Sequence, residues 1–545
     1  MNSESIRKVR RPRSTRHKLQ PIFLFASIMV LLLCSACHFP RVDVQATAAF
    51  LSARQTLVAQ QVTLESALST PESPDPLEAT LPVEFPQPTP QALETPLPIT
   101  PAPEKVCELD LLPGNMLYCS QSGDRLETVA RRFRLSKPSQ IQGSEGFAVD
   151  MLLPVNTPLG VPTPTFYTPH TRAIFPDAEV LYGPDADSSD IIAYASQAGG
   201  YLSHYREYLH GGWYSGPEII DLVARETSTN PRLLLSFTEF QSGWVFGWPD
   251  GAEEDHSPLN YEASGVEGLY AELQVAAREL SRGFYGWREG TVNGLFYRDG
   301  ENSLIAPHLN PGTVAVQYLF AGLYDSRDFV DALYGPNGYL AFHEQLFGDP
   351  WLRATAMGDL LPAGISQPDL TLPFLAGETW ALTSGPHITW QLGSPRGAID
   401  LAPVDDAPGC APSPMWATVA APGLVVRSER GAVAIDLDGD GNEGTGWVLI
   451  YMHLLPEGRA QVGTWLDQDD PVGHPSCEGG AATGTHLHIA RKYNGEWIAA
   501  EGPLPFVLGG WQAMAGEGNY GGRLVKDGAV VYNGSSAKEY TWIRR

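Results

Sequence analysis

The segment Thr485-His486-Leu487-His488-Ile489 carries two histidines, two residues apart, in a run of β-branched and apolar residues. In a β-strand, residues i and i+2 point to the same face of the sheet. We therefore expect both imidazoles to enter one cleft while Leu487 and Ile489 turn towards the core. One imidazole can then bind a metal ion while its neighbour transfers protons.

Three residues upstream can complete a site of this kind. His387 and Asp400 lie thirteen positions apart, and His453 follows them. Catalytic zinc usually takes three protein ligands and keeps a fourth position for water, and His387, Asp400 and His488 can supply those three. His453 ends an alternating stretch whose same-face members are Trp447, Leu449, Tyr451 and His453, so we expect it to face the cleft as well. The alternative is a set of unrelated histidines and one acid in a loop-rich β domain.

These residues carry a family resemblance. Gly385-Pro386-His387 and the run from Gly393 to Ala402 resemble the first half of the site of peptidase family M23, and Tyr451-Met452-His453-Leu454 and Gly484-Thr485-His486-Leu487-His488 resemble its second half. The resemblance covers about residues 375–510. It implies an antiparallel β-rich domain over 370–512 that holds one zinc ion per chain.

The first ligand departs from the common pattern of the family. Most members carry His-x-x-x-Asp, which would put a histidine at position 396, where this chain has Arg396. The staphylolysin-like, lysostaphin-type branch spaces its histidine thirteen residues before the aspartate, and His387 meets that spacing. We therefore assign His387, Asp400 and His488 as the metal ligands. Without His387 the domain would lack a ligand and would be a non-catalytic relative.

The resemblance implies metal-assisted peptide hydrolysis. His486 would take the proton of the attacking water and pass it to the leaving amine, as general acid–base catalysis requires. His453 would hydrogen-bond the water or the developing oxyanion. His474, in Gly473-His474-Pro475, is interpreted as structural because no spacing places it in the cleft.

The N-terminus predicts export. Residues 1–36 combine a basic flank with the apolar run Ile22 to Leu33, which is typical of a secretion signal. Leu33-Cys34-Ser35-Ala36-Cys37 resembles a bacterial lipobox with Cys37 as the lipidated residue. The alternative is an uncleaved signal anchor, although the run is short for the ~20 residues of a spanning helix. In both cases the body of the protein would lie outside the cytoplasm, attached to the cell membrane.

Two connecting segments follow the signal. Residues 37–69 read as an anchor and helical stalk, and residues 70–105 form a proline-rich linker. Such a linker is an extended, semi-rigid spacer. It would carry the working domains away from the bilayer.

Cysteine usage and charge agree with an extracytoplasmic protein. Besides Cys34 and Cys37 the chain has four cysteines: Cys107, Cys119, Cys410 and Cys477. Three pairings are possible, and proximity favours Cys107–Cys119 and Cys410–Cys477, which an oxidising exterior would allow. None of them forms a Cys-x-x-Cys pair, which argues against a cysteine-rich metal site. The formal net charge of −26 argues against nucleic acid as a partner.

Residues 106–162 form a small unit with a motif of its own. It contains Tyr118 to Leu126, then Thr128-Val129-Ala130-Arg131-Arg132-Phe133, and Leu159-Gly160-Val161-Pro162 as a closing strand. These pieces resemble a LysM domain, a small βααβ unit that binds N-acetylglucosamine polymers. The resemblance implies binding to peptidoglycan glycans. The alternative is a degenerate spacer that binds nothing.

Residues 165–360 are predicted to be mostly α-helical, and residues 513–545 form a glycine-rich tail without assigned chemistry. The piece Pro231 to Gly243 weakly resembles the catalytic helix of lysozyme-like transglycosylases. Gln241 stands where that family has its glutamate and cannot donate a proton to a glycosidic oxygen. Glu239, two residues earlier, would lie about 200° round the helix. We therefore expect a helical scaffold or glycan cradle without catalysis.

Three functions follow from these observations. The first is a membrane-anchored zinc metalloendopeptidase that hydrolyses peptide cross-bridges of peptidoglycan while the LysM-like unit holds the glycan. The second is a non-catalytic peptidoglycan-binding or amidase-regulating lipoprotein built on a degenerate M23 domain. The third is a general secreted protease that cleaves near glycines in elastin-like or glycine-rich proteins.

Overall fold

The computed structural model describes residues 107–186, 188–249, 257–259, 261, 265–405 and 409–545. The predicted signal, Cys37, the stalk and the proline-rich linker lie outside the described residues. Within the described part of the chain, no helix combines the length and the apolar character needed to cross a bilayer.

The first unit is small and has one regular helix. Strands β1 (Asn115–Cys119) and β2 (Pro158–Pro162) pair antiparallel, and helix α1 (Leu126–Arg132) packs on them. In place of a second helix there is a single 3₁₀ turn, Pro138–Gln140. The segment after this turn contains Gly143 and Gly146, which both have positive φ, a conformation that ends helical structure. The predicted βααβ order is therefore reduced to βαβ with a turn.

The middle domain is helical, as predicted. Its helices are α2 (Ser188–Ala198), α3 (Tyr201–His204), α4 (Gly216–Thr227), α5 (Pro231–Ser242), α6 (Leu269–Arg288), α7 (Pro311–Leu323), α8 (Phe329–Tyr334), α9 (Tyr339–Phe347) and α10 (Pro350–Met357). Two short hairpins accompany them: β3 (Arg206–Leu209) with β4 (Gly212–Ser215), and β5 (Gly294–Phe296) with β6 (Asn302–Leu304).

Local sequence signals set the bounds of the two central helices. Ser215 and Glu218 form a reciprocal capping box at the start of α4. Asn230 caps α5, Pro231 occupies its first turn, and Gly243 ends it with a φ of 68°. Each of these residues satisfies backbone groups that a helix end leaves without an intrahelical partner.

The C-terminal domain is built on a nine-stranded antiparallel sheet. Eight strands follow the order β13-β10-β11-β12-β15-β8-β7-β21, and β16 pairs with β15. Their bounds are β7 (Thr379–Ile388), β8 (Arg396–Pro403), β10 (Gly423–Glu429), β11 (Ala432–Asp436), β12 (Trp447–Met452), β13 (Trp465–Leu466), β15 (Leu487–Tyr493), β16 (Glu496–Trp497) and β21 (Trp542–Arg544). The predicted antiparallel β-rich domain is confirmed.

The tail joins this domain. Strands β17 (Val507–Leu508), β18 (Trp511–Ala515), β19 (Gly522–Lys526) and β20 (Ala529–Tyr532) form a separate four-stranded sheet, and β9 (Ala417–Thr418) pairs with β14 (Pro471–Gly473). The proposed division between residues 512 and 513 therefore falls inside β18. The last strand, β21, returns to pair with β7.

The two faces of the main sheet are buried in different cores. Leu449, Tyr451, Leu487 and Ile489 belong to a core within the C-terminal domain. Residues of the opposite face, such as Ile450 and Ala490, share one continuous core with the helical domain. Because neighbouring residues of a strand point to opposite faces, His488 lies on the face that the helical domain partly covers.

Candidate active site

Strands β7, β8 and β15 bring the three candidate ligands together. His488 pairs with Asp400 across the β15–β8 ladder, and His387 pairs with Ala398 across β7–β8. The register of β7 shifts around His387. Gly385 lets β19 pack closely against this irregular segment, because a Cβ there would fall 2.4 Å from the backbone of Gly522. The irregular strand lets His387 reach the face that carries Asp400 and His488.

Three atoms of these residues form a compact triangle. His387 Nε2 lies 3.1 Å from His488 Nδ1 and 3.3 Å from Asp400 Oδ1, and His488 Nδ1 lies 3.2 Å from Asp400 Oδ1. A zinc ion bonded to nitrogen and oxygen at about 2.0–2.2 Å needs ligand atoms at roughly such separations. The donor set of two imidazoles and one carboxylate therefore fits a single zinc ion.

Hydrogen bonds at the far side of each ring orient the two imidazoles. His387 Nδ1 lies 3.0 Å from the carbonyl oxygen of Gly385, and His488 Nε2 lies 2.9 Å from that of Thr389. Each of these nitrogens donates its proton to the carbonyl, which leaves His387 Nε2 and His488 Nδ1 as lone pairs directed at the triangle. Such second contacts fix the tautomer of metal-binding histidines.

The environment favours neutral imidazoles beside an ionised carboxylate. Burial lowers the pKa of His387. Burial alone would raise the pKa of Asp400, but its contacts with the His488, His387 and His486 imidazoles lower it to about 2. Metal ligands must be deprotonated, so the site holds its candidate ligands in the state that an ion requires.

His453 and His486 lie beside the triangle. Their ring centroids are 4.3 Å apart, and His486 Nε2 is 3.8 Å from Asp400 Oδ2. His453 Nδ1 donates to the carbonyl of Glu478 at 2.9 Å, and His486 Nδ1 donates to that of Gly484 at 2.7 Å. Burial, followed by the proximity of His486 and His488, lowers the pKa of His453 to about 4. In these tautomers both Nε2 atoms can accept a hydrogen bond or a proton.

The route by which His453 reaches the site differs from the prediction. Leu449 and Tyr451 point into the core together with Leu487 and Ile489, so the expectation that they share a face with His453 in the cleft is wrong. Strand β12 ends at Met452, and His453 has a φ of 64°. This left-handed turn swings the imidazole to the opposite side of the sheet.

Arg396, at the position of the common family ligand, lies outside the triangle. Its guanidinium donates to the carbonyl oxygens of Pro386, Gly516 and Gly521, at 2.9 to 3.4 Å. It thereby ties β7 to the small C-terminal sheet.

The sequence did not indicate two kinds of contact to the site histidines, one from a distant ring and the other from backbone carbonyls. Tyr520, in the tail, has its ring 5.3 Å from that of His387, and its carbonyl accepts from the Gly385 amide at 2.9 Å. Thr389 and Glu478 act through backbone carbonyls. A side-chain pattern carries no signal for a carbonyl contact, and Tyr520 lies more than a hundred residues from its partner.

Both predicted disulfides are present. Cys107–Cys119 lies in the first unit, and Cys410–Cys477 joins two loops of the C-terminal domain. The second bridge adjoins the site, because the Thr485 amide and hydroxyl donate to the carbonyls of Gly409 and Ala411 at 2.7 and 2.6 Å. The Cys410–Cys477 bridge therefore helps to fix the position of the segment that carries His486.

Other predicted non-participants stay apart from the site. His474 donates to the Met415 carbonyl and stacks on Trp416 at 3.7 Å. In the helical domain, Gln241 donates to the Tyr324 hydroxyl, and Glu239 accepts from the amides of Val245 and Phe246. Glu239 thus caps the loop after its own helix.

Comparison with known proteins gives relatives for both large domains. The family described as LasA, N-terminal domain, matches residues 173–360. Protease LasA of Pseudomonas aeruginosa strain PAO1 is 26% identical over 365 residues, which cover 62% of this chain and 78% of the relative. Its counterpart in strain UCBPP-PA14 is 26% identical over 369 residues, with coverage of 63% and 78%.

Among solved structures, the deep-sea M23 metalloprotease pseudoalterin matches 31% of this chain and 96% of its own, with 17% identity and a TM-score of 0.26. The catalytic domain of lysostaphin from Staphylococcus simulans matches 23% and 89%, with 18% identity and a TM-score of 0.16. The matches to LasA and its N-terminal domain bear out the family resemblance and the prediction of a peptidase.

Proposed function

We propose that this M23-type peptidase is an extracytoplasmic zinc metalloendopeptidase that hydrolyses the peptide cross-bridges of peptidoglycan. The observation that carries the proposal is the triangle of His387 Nε2, Asp400 Oδ1 and His488 Nδ1, with edges of 3.1 to 3.3 Å. Two further imidazoles with free Nε2 atoms lie beside it. A non-catalytic relative would have no need for all five groups.

The five residues divide the work. His387, Asp400 and His488 would hold a zinc ion, which would supply Lewis-acid chemistry and lower the pKa of a bound water to about 7. His486 Nε2 takes the proton of the attacking water and returns it to the leaving amine. His453 Nε2 accepts a hydrogen bond from the same water and orients it, because its Nδ1 is already committed to the Glu478 carbonyl.

The finer parts of the proposal concern attachment and substrate. Residues 1–36 direct export, Cys37 carries the lipid, and residues 70–105 span from the membrane towards the cell wall. The LysM-like unit holds glycan near the cleft, which raises the effective concentration of peptide bridges at the zinc site. The resemblance to M23 peptidases supports the choice of peptidoglycan as substrate.

The test is release of soluble fragments from purified cell walls by the mature protein. We expect activity with about one zinc per chain, loss of activity with a chelator, and recovery when zinc is restored. His387→Ala should lose both zinc and activity, whereas Arg396→Gln should keep its zinc.

Activity that resists the chelator, or a wild-type protein that binds no zinc, would contradict the proposal. An empty site in a protein that still binds cell walls would support the non-catalytic alternative. Mass spectrometry of fragments from defined muropeptides then identifies the bond that is cut.

A further inference from the structure

One buried ion pair connects the helical domain to the rim of the candidate site. Glu226, near the end of α4, lies with Oε1 at 2.7 Å from Arg430 Nη2. Its other oxygen accepts from the Tyr270 hydroxyl at 2.9 Å and from the Gln274 amide at 2.7 Å, both on α6. The Glu226 side chain is only 8% exposed. The helical domain therefore presents a fully hydrogen-bonded carboxylate to a single arginine of the C-terminal domain.

The position of the Arg430 guanidinium depends on Glu226. The other carboxylate near it, Glu429, is more distant, at 3.6 Å. Among the described residues, Arg430 Nε and Nη1 are buried without a hydrogen-bond partner. Glu226 is thus the group that fixes the position of the guanidinium.

Arg430 sits in the tight turn between β10 and β11, next to His453. Both Arg430 and Gly431 have positive φ, 46° and 75°. The Leu454 amide donates to the Gly431 carbonyl at 3.0 Å, which ties this turn to the residue directly after His453.

This turn also supports the segment that orients the His453 ring. A Cβ on Gly431 would fall 2.7 Å from the Glu478 carbonyl, and a Cβ on Gly479 would fall 2.2 Å from the Arg430 carbonyl. The two backbones are therefore in contact with no space between them. The Glu478 carbonyl is the one that accepts the His453 Nδ1 proton.

We propose that Glu226 and Arg430 are positioning residues for His453. Their ion pair holds the turn at 429–431, the turn supports the Glu478 carbonyl, and that carbonyl fixes the tautomer and direction of the imidazole. The helical domain thereby takes part in the reaction although none of its described residues belongs to the five-residue site. This inference rests on the proposed function and adds a role for a domain outside the M23 region.

The experiment compares full-length Glu226→Gln and Arg430→Lys with wild type on a soluble cross-linked muropeptide. Glutamine keeps the size of the side chain but removes its charge. A misplacement of about 1 Å in an active site can cost about 100-fold in rate. We expect kcat to fall at least about tenfold, with KM and zinc content unchanged. In protein labelled with ¹⁵N-histidine, the His453 ring signals should lose the pattern of a single Nδ1–H tautomer.

Glu496→Gln is the matched control. Glu496 pairs with Arg288 at 2.9 Å across the same interface and is equally buried, but it lies in β16, at the far end of β15 from His488. We expect its thermal unfolding temperature to fall as in Glu226→Gln while kcat and the His453 signals stay at wild-type values. Unchanged kcat in both Glu226→Gln and Arg430→Lys, or an equal loss in Glu496→Gln, would overturn the inference. Failure of the proposed function would give a different result, because the wild-type protein itself would then lack zinc or activity.

Discussion

At the scale of single residues, His453 owes its place in the site to one backbone angle. A non-glycine residue with positive φ is uncommon, costs about 1–3 kcal/mol, and persists only where its surroundings enforce it. Here the His453 carbonyl accepts from the Ser476 amide at 2.6 Å and from the Ser476 hydroxyl at 2.9 Å. These bonds hold a conformation that directs the imidazole away from the core and towards His486.

His453→Ala should therefore reduce turnover without emptying the metal site. We expect kcat to fall about 10²–10³-fold, the range for loss of one preorganised group in an active site, with zinc content near wild type. Steady-state kinetics and metal analysis measure the two effects. His474→Ala is the control, since His474 contacts Met415 and Trp416 outside the site, and its kcat should remain unchanged. Loss of zinc in His453→Ala would make His453 a ligand and contradict the assignment.

The sequence could predict the residues whose spacing has chemical meaning. The thirteen-residue spacing of His387 and Asp400, which the M23 resemblance implies, and the His-x-His pair identified the three residues whose ligand atoms lie within 3.3 Å of one another. Alternation failed for His453, because it assumes an extended backbone and the φ of 64° reverses the side of the sheet. The Tyr520 contact depends on a long-range fold that no local pattern encodes.

At the scale of elements, a buried carboxylate joins four segments of the helical domain. Glu179 ends the 3₁₀ turn Asp177–Glu179 and contacts Arg232 of α5, His343 of α9 and Arg353 of α10. Burial alone would raise the pKa of Glu179, but the hydrogen bond from His343 and the two arginines lower it to about 2. Burial also lowers the pKa of His343, so this ring contributes a hydrogen bond and the arginines contribute the charge.

This cluster predicts an acid-dependent loss of stability. The folded pKa of Glu179 is below its ordinary value of 4.5, so its stabilisation is complete above about pH 4.5 and is lost as the pH falls towards 2. The full effect is about 3 kcal/mol, from about 1.4 kcal/mol per unit of pKa shift. Urea unfolding at pH 6 and pH 3 should show a smaller decrease for Glu179→Gln than for wild type. Equal decreases would contradict the role of Glu179.

The Cys410–Cys477 bridge adjoins the candidate active site, whereas the Cys107–Cys119 bridge lies in the first unit. We expect the double variant Cys410→Ser/Cys477→Ser to lose about 2–5 kcal/mol of stability, as small disulfide-bonded domains do. It should also lose activity, because the loop at 409–411 no longer holds Thr485 beside His486. Cys107→Ser/Cys119→Ser should keep wild-type kcat on a soluble peptide. Wild-type kcat in the first variant, measured under conditions where it is folded, would show that the loop needs no bridge.

Only part of the arrangement of helices and strands could be predicted from the sequence. The helical character of residues 165–360 was predictable, and side-chain caps mark where α4 and α5 begin. The partner of the second sheet face was not predicted. Strand β11 is buried at all five positions, Ala432–Asp436, and such a strand shows that both faces are covered without indicating what covers them.

At the scale of the whole molecule, the helical domain and the C-terminal sheet share one hydrophobic core. Buried residues of α4 to α9 and Ala398, Ala434, Val448, Ile450, Ala490 and Trp497 of the sheet belong to the same cluster. Trp497 also links the sheet directly to the helices, because its backbone amide donates to the Tyr285 hydroxyl at 3.0 Å. A core of this kind predicts that the two regions unfold together.

The substitution Phe320→Ala tests this cooperativity from the helical domain, which lies far in sequence from strand β15. Phe320 lies in α7, is fully buried, and belongs to the shared core. Removal of a buried phenylalanine ring costs about 3–5 kcal/mol. In hydrogen exchange near the denaturation midpoint, where global opening dominates, we expect the amides of β15 to lose as much protection as those of α6. Calorimetry should show one transition at a lower temperature. Unchanged protection in β15, or a second transition at the wild-type temperature, would mean that the sheet carrying His488 folds independently of the helices that cover it.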